Sequence, residues 1–273
     1  MDARLQLRVQ RYGWDRAAPS YELAWIQALA PATAAVLNAA KLRPGERVLD
    51  VACGSGLLTR AAWHAVESEG GEVVGTDISE CMLAEAAKRL PDCRFVRADA
   101  QTLEEVVPVG HFDVVLCGLG LMYMPDPEAA LAAMTRCLRP GGRIAVSVWG
   151  ERRACGWAEI FPIVDSRVRS EVCPMFFRVG TGNTLVEGLR AAGLVDVQSS
   201  HAPTTIHYAD ADAACDAAFL SGPVALAYSR FDETTRLSVR AEYLASLEPW
   251  RDGERFDIPG TFVIASGQRP VAA

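Results

Sequence analysis

Three aspartates and two glycines carry the densest chemistry in this chain. The segment Val48-Leu49-Asp50-Val51-Ala52-Cys53-Gly54-Ser55-Gly56 reads as a strand running into a Gly-x-Gly turn, and Leu57-Leu58-Thr59 opens a helix. Such a turn lets backbone amides approach a ligand, because no Cβ stands in the way. A dinucleotide fingerprint places a third glycine three residues further on, so that helix and strand pack and the helix N-terminus stays open to a pyrophosphate. Here that residue is Thr59. Asp50, four residues before Gly54, would repel a pyrophosphate and attract an ammonium group. A second strand ends in Asp77, 21 residues after Gly56, where an acidic side chain accepts both ribose hydroxyls in doubly wound nucleotide folds. A third ends in Asp99, followed by Ala100 and Gln101, where a carboxylate can accept from an adenine amino group. Together these residues describe a site for a nucleoside with an amino-acid tail and a positive charge.

Such a site needs parallel strands whose carboxyl ends lie side by side. Between about residues 45 and 149 short β-branched runs alternate with helical segments, the pattern of a parallel sheet covered by helices. The strands predicted are 47–52, 72–77, 94–99, 112–117 and 143–149. Ser79 caps a helix with Met82, Leu83, Ala86 and Leu90 on one face. Asp126 and Pro127 start another, carrying Leu131, Met134 and Leu138, and Arg139-Pro140-Gly141-Gly142 stops it. Residues 12–42 read as helices broken at Pro31 and ended by Pro44. Residues 151–182, interrupted by Pro162 and Pro174, read as an inserted helical cap. Beyond it come a helix over 183–194, a strand over 195–208, helical structure over 211–248 and a final strand over 255–267, bent at Pro259-Gly260. No linker-like stretch separates these parts, so one domain with insertions is expected.

The loop 50–56, Gly75-Thr76-Asp77-Ile78-Ser79, Arg97-Ala98-Asp99-Ala100, Phe112-Asp113-Val114-Val115, Met124-Pro125-Asp126 and Leu138-Arg139-Pro140-Gly141-Gly142 resemble the class I S-adenosylmethionine-dependent methyltransferases. The likeness is greatest to the small-molecule branch typified by the ubiquinone/menaquinone methyltransferases. It covers residues 12–150 well and 183–268 loosely. It implies a Rossmann-like α/β fold: a seven-stranded, mostly parallel sheet with helices on both faces and an antiparallel last strand. On that fold 1–44 would be a helical lid, 45–150 the cofactor-binding half, 151–182 the cap, and 183–273 the C-terminal helices and strands. The cofactor implied is S-adenosylmethionine, held by Trp14, Tyr21, Asp50, Ala52, Gly54, Gly56, Asp77, Ile78, Met82, Asp99, Ala100, Gln101 and Cys117. Tyr21 would reach the cofactor's carboxylate and Trp14 would cover the site. Ala52 departs from the glycine that many members carry there.

Methyl transfer from a sulfonium is an in-line displacement in which the protein aligns the nucleophile and excludes water, so no catalytic residue need stand out. The acceptor is a small apolar or aromatic metabolite methylated on oxygen, nitrogen or carbon. The alternative is a cofactor-binding module that acts through protein contacts without methyl transfer. Tyr21, Trp149, Trp157 and Phe176 are the candidate acceptor contacts; with Phe161, Met175 and Phe177 the cap aromatics either line a pocket or form the cap's own core. Cys117 reads as a wall residue, not a nucleophile, and none of His64, His111, His201 and His207 is assigned a catalytic role.

Gly118-Leu119-Gly120 replaces the Asn/Asp-Pro-Pro-aromatic motif of adenine and glutamine methylation, and no Pro-Cys pair marks cytosine methylation. A net charge of −7 disfavours a nucleic-acid partner. The eight cysteines never stand closer than 12 residues, giving no metal-ligand or redox pair and suiting a reducing cytoplasm. The longest nearly uncharged apolar stretch is read as Val114–Met124, too short to span a bilayer. Met1-Asp2-Ala3-Arg4 opens no signal peptide, so no membrane partner is expected. Oligomeric state is left open.

Overall fold

A computed structural model describes residues 3–168, 173 and 175–271. Five parallel strands, β1 (Arg47–Val51), β2 (Glu72–Asp77), β3 (Arg94–Arg97), β4 (Phe112–Gly118) and β5 (Leu138–Trp149), form the first part of a mixed sheet. Three more follow in the chain: β6 (Val195–Tyr208), the two-residue β7 (Arg251–Asp252) and β8 (Arg255–Gln268). The sheet order is β3-β2-β1-β4-β5-β8-β6, with β7 pairing β8. β8 runs antiparallel to both β5 and β6, as the resemblance implies. Strand order reverses beside β1, between β1 and β4, and in open α/β sheets ligands bind outside the carboxyl ends of the strands at that point. β1 is buried along Val48–Val51, as a strand covered on both faces must be.

The N-terminal segment is one helix, α1 (Ala3–Ala40), and not several. It begins before residue 12 and runs through both Pro19 and Pro31. A stripe at heptad-like spacing holds it down. Leu29, Ala32, Val36 and Ala40 bury against the sheet, and Ala17 and Ala18 bury against Met82 and Ala225. Packing of that stripe outweighs the backbone hydrogen bonds the prolines remove. The helix stops at Lys41, which takes the left-handed conformation (φ 50°), and the Arg143 guanidinium donates to the Ala40 and Lys41 carbonyls left over at its end. α1 also overturns the reading of Val114–Met124 as the longest uncharged apolar stretch, since residues 23–40 carry no Asp, Glu, Lys or Arg. It is long and apolar enough to cross a membrane by length and composition; here it lies on the sheet.

The sheet is further covered by α2 (Leu57–Val66), α3 (Glu80–Arg89), α4 (Pro127–Cys137), α5 (Ile160–Asp165), α6 (Thr184–Ala191), α7 (Ala211–Leu220), α8 (Ala225–Ser229) and α9 (Glu233–Leu247). Side-chain caps fix the starts of α3 and α4: the Ser79 hydroxyl accepts from the Met82 N–H at 3.1 Å, and the Asp126 carboxylate from the Ala129 N–H at 2.8 Å, with Pro127 in the first turn. Arg139-Pro140-Gly141-Gly142 does not stop α4 before a separate strand. The β5 ladder already begins at Leu138 and shifts register at these residues. The expected bend at Pro259-Gly260 is absent and β8 is continuous. The glycine instead makes a slot, because a Cβ there would lie 2.7 Å from the Trp149 ring. The expected cap consists of turns, a short 3-10 helix (152–154) and α5; its residues 169–172 and Pro174 lie outside the described residues.

Candidate active site

At the carboxyl ends of β1, β2 and β4 the chain forms a cavity with about 1070 Å³ of atom-free space, part of it open to solvent. Trp14, Tyr21, Ala52, Gly54, Asp77, Ile78, Met82, Asp99, Ala100, Trp149, Trp157 and Phe176 all line it. Residues up to 162 positions apart in sequence thus share one wall. Local structure explains the placement. The turn after β1 puts Ala52 at φ 55°, Gly54 at φ 55° and Gly56 at φ 88°. Ala52 therefore occupies a left-handed position that disfavours any residue with a Cβ, which accounts for glycine being common there. Asp77 ties this loop to β2: one carboxylate oxygen accepts from the Gly54 N–H and the other from the Ser79 N–H, each at 2.9 Å.

Four expected contacts lie elsewhere. Gly56 caps α2 and faces Ala86 and Leu90, where a Cβ would come within 3.2 Å, so it serves helix packing. Gln101 turns away from the cavity. Its amide donates to Asp99 at 3.0 Å and its carbonyl accepts from the Asp126 N–H at 3.1 Å, which makes it a support for Asp99. Cys117 is fully buried behind Gly120, and burial pushes its thiol up to about 12, which leaves no thiolate near neutral pH. Asp50 lies in a smaller annex beneath the loop, shared with Tyr21, Ser55 and Ser147. Thr59, the residue that broke the dinucleotide pattern, donates its hydroxyl to Asp50 Oδ2 at 2.6 Å.

The annex is unusual in its polarity. Asp50 Oδ1 and the Ser55 and Ser147 hydroxyls are all buried without a hydrogen-bond partner. Burial, with Asp77 nearby, pushes the Asp50 carboxyl up to about 7 despite the Thr59 hydrogen bond. Burial likewise raises Asp77, against the backbone N–H groups that favour its ionised form. No Arg, Lys or His is among the described residues lining either space, so two buried carboxylates face a vestibule with no protein cation. Orphaned acceptors and hydroxyls of this kind suit an ammonium-bearing ligand.

Several wall residues were not assigned to the site from the sequence: Leu7, Gln10, Trp25, Leu29, Met122, Tyr123, Met124 and the Ser221-Gly222-Pro223 turn after α7. A signal for those on α1 exists, because Leu7, Gln10, Trp14, Tyr21, Trp25 and Leu29 follow one another at three, four and seven residues along one face. Three contacts hold this face over the site. Trp25 Nε1 donates to the Ser221 carbonyl (2.9 Å), the Ser221 hydroxyl to Ser20 (2.8 Å) and the Ser79 hydroxyl to Asp15 (2.6 Å). The cap aromatics divide between the two roles open to them. Trp149, Trp157 and Phe176 face the cavity, while Phe161 and Phe177 stack behind at centroid distances of 4.7 and 4.8 Å from Phe176. The histidines lie away from it; His207 is exposed against Asp257 and His64 pairs with Glu67.

Residues 48–142 match the family described as a methyltransferase domain. Nocamycin O-methyltransferase of Saccharothrix syringae is 31% identical over 222 residues, 73% of this chain and 77% of that protein. The ubiquinone/menaquinone biosynthesis C-methyltransferase UbiE of Ectopseudomonas mendocina is 44% identical over 111 residues, 38% of this chain. That match spans only 42% of UbiE's length. Among solved structures, phosphoethanolamine N-methyltransferase 2 of Haemonchus contortus, in complex with S-adenosylhomocysteine, shares the fold with a TM-score of 0.62 at 17% identity, covering 99% of this chain and 61% of that one. The chain belongs to the class I S-adenosylmethionine-dependent methyltransferases, in their small-molecule branch. Its cofactor is S-adenosylmethionine, and a carboxylate-rich site with no Arg, Lys or His among its described lining residues fits a ligand of that charge.

Proposed function

We propose that this protein methylates an oxygen, nitrogen or carbon atom of a small apolar or aromatic acceptor. The observation that carries the reading is the single cavity whose wall joins Asp77 and Asp99 to Trp149, Trp157 and Phe176. Bound S-adenosylmethionine supplies an electrophilic methyl group on a sulfonium. Asp77 would take the ribose hydroxyls with lone pairs its two backbone hydrogen bonds leave free, and Asp99, braced by Gln101, would take the adenine edge. Asp50, Ser55 and Ser147 would hold the amino end of the methionine tail, and Tyr21, which borders both spaces, its carboxylate end. Ala52, Gly54, Ile78, Met82 and Ala100 would form the surrounding contact surface, with Trp14 above.

The chain's own contribution is then alignment and water exclusion. Burial raises the Tyr21 and Tyr123 hydroxyls well above their ordinary range, so both stay protonated and act as donors, not bases. The relative that spans 73% of this chain is an O-methyltransferase, which supports testing oxygen acceptors first. The whole chain would act as one domain, and its eight free cysteines suit a reducing, cytoplasmic setting. Calorimetry against S-adenosylmethionine and NAD, followed by product analysis over phenols, enols, amines and quinone precursors, tests the reading. Tight NAD binding without S-adenosylmethionine binding would overturn it. Cofactor binding without methylated product across the panel would favour a non-enzymatic module.

A further inference from the structure

Trp157 is 7% exposed, lines the cavity, and holds its indole Nε1 buried with no hydrogen-bond partner. It is the one described residue of the main cavity wall in that state. The neighbouring wall tryptophan Trp25 satisfies its own ring N–H on the Ser221 carbonyl. An indole N–H can only donate, so the group it lacks is an acceptor: a carbonyl, ether or anionic oxygen. Buried donors are normally paired, and one left over on a cavity wall points to a ligand atom.

The surroundings say what kind of ligand carries that oxygen. Trp157 packs between Trp149 (ring centroids 4.9 Å) and Phe176 (5.5 Å), with Phe161 and Phe177 at 6.1 and 5.8 Å. Tyr123 continues the aromatic wall at 5.3 Å from Phe176. Flat walls of this kind suit a flat, conjugated guest. The described wall offers that guest no imidazole and no lysine. An acceptor that ionises by itself, through a carbonyl conjugated with its hydroxyl, needs neither, and the same carbonyl supplies the oxygen that Trp157 lacks.

Resting on the proposed acceptor role of the cavity, we propose that the Trp157 indole N–H determines specificity by donating to a carbonyl or enolate oxygen of a flat, conjugated oxygen acid. Enolised 1,3-dicarbonyl compounds and para-acyl phenols belong to this class, and plain phenols and arenes do not.

The test uses the full chain saturated with S-adenosylhomocysteine and a matched probe pair, 4-acetylphenol and 4-ethylphenol, which differ by one carbonyl. The six tryptophans give six indole signals in a 15N-labelled sample, and the one lost in Trp157→Phe is that of Trp157. Adding 4-acetylphenol should move that signal downfield, and 4-ethylphenol should move it less. The wild type should prefer 4-acetylphenol by up to about tenfold, and Trp157→Phe should lose the preference. A signal unmoved by 4-acetylphenol, as when the N–H lies on the Phe176 ring, overturns the proposal, as does a preference that survives in Trp157→Phe or binding of neither probe. Should that variant fail to fold, the signal is assigned by elimination from the five other Trp→Phe variants, and the wild-type titration decides. Failure to bind S-adenosylhomocysteine at all would count against the proposed function; binding it with a silent Trp157 counts against this inference alone.

Discussion

Gly120 and Ala52 press two loops of the site against each other, and Gly120→Ala tests that contact directly. A Cβ at Gly120 would stand 2.4 Å from Ala52 Cβ and 3.2 Å from Cys117 Sγ. Carbon atoms rest about 3.5–4.0 Å apart, so the overlap exceeds about 1 Å and one loop must yield. Neither does so easily. Ala52 is already held at φ 55°, and the adjoining Cys53 N–H is bonded to the Thr76 carbonyl at 2.9 Å. Overpacking of this kind costs about 2–3 kcal/mol. For a chain of this size that lowers Tm by about 4–6 °C. Both residues line the cavity, so calorimetric affinity for S-adenosylhomocysteine should also fall, by about tenfold for each 1.4 kcal/mol of displacement. The double variant Ala52→Gly/Gly120→Ala removes the opposing methyl and relieves a left-handed strain of about 1 kcal/mol. It should recover most of the lost Tm and affinity, with a coupling energy above about 1 kcal/mol in the double-mutant cycle. An unshifted Tm in Gly120→Ala, or a double variant no better than the single, would refute the reasoning.

Three further perturbations address separate parts of the site. Asp77→Ala removes the acceptor of two backbone N–H groups and should cost about 2–4 kcal/mol of stability in chemical denaturation and abolish measurable cofactor affinity, with Asp77→Asn intermediate in both. The Asp50 carboxyl, raised to about 7 against an ordinary value near 4, binds an extra proton in the folded protein. Its contribution to the stability of the free protein is therefore present below the ordinary carboxylate range and lost as pH rises to about 7. A cofactor ammonium favours the ionised form, so binding should release a proton below pH 7 and weaken by up to about tenfold per pH unit there. Calorimetry in buffers of unlike ionisation heat reads this, and a wild-type pH dependence matching that of Asp50→Asn would count against it. Gly260→Ala would place a Cβ 2.7 Å from the Trp149 ring, and should quench or shift the fluorescence of the aromatic cluster while leaving S-adenosylhomocysteine affinity within about threefold, because the perturbation lies at the proposed acceptor end.

The sheet core and the glycine loop with its strand-end aspartates could be read locally, because each depends on short-range chemistry. A β-branched run followed by Gly-x-Gly, and aspartates at strand ends, keep their meaning wherever the strands are placed. The same locality misled at α1, where Pro31 read as a break although the helix runs through both Pro19 and Pro31. A 38-residue helix survives them because its buried stripe packs on the sheet, and that energy is invisible to a window of neighbouring residues.

The residue chemistry of the loop and of Asp50, Asp77 and Asp99 was thus determined by the sequence itself, down to the class of cofactor. Only the tertiary structure decided which side each residue faces. It drew Gly56, Gln101 and Cys117 behind the wall, sank Asp50 into an annex beside Ser147 of β5, and placed Trp157 on one cavity wall with Tyr123 and Trp14. Those decisions rest on packing between strands and helices far apart in the chain, where a single Cβ contact, as at Gly120 or Gly260, selects one arrangement over another.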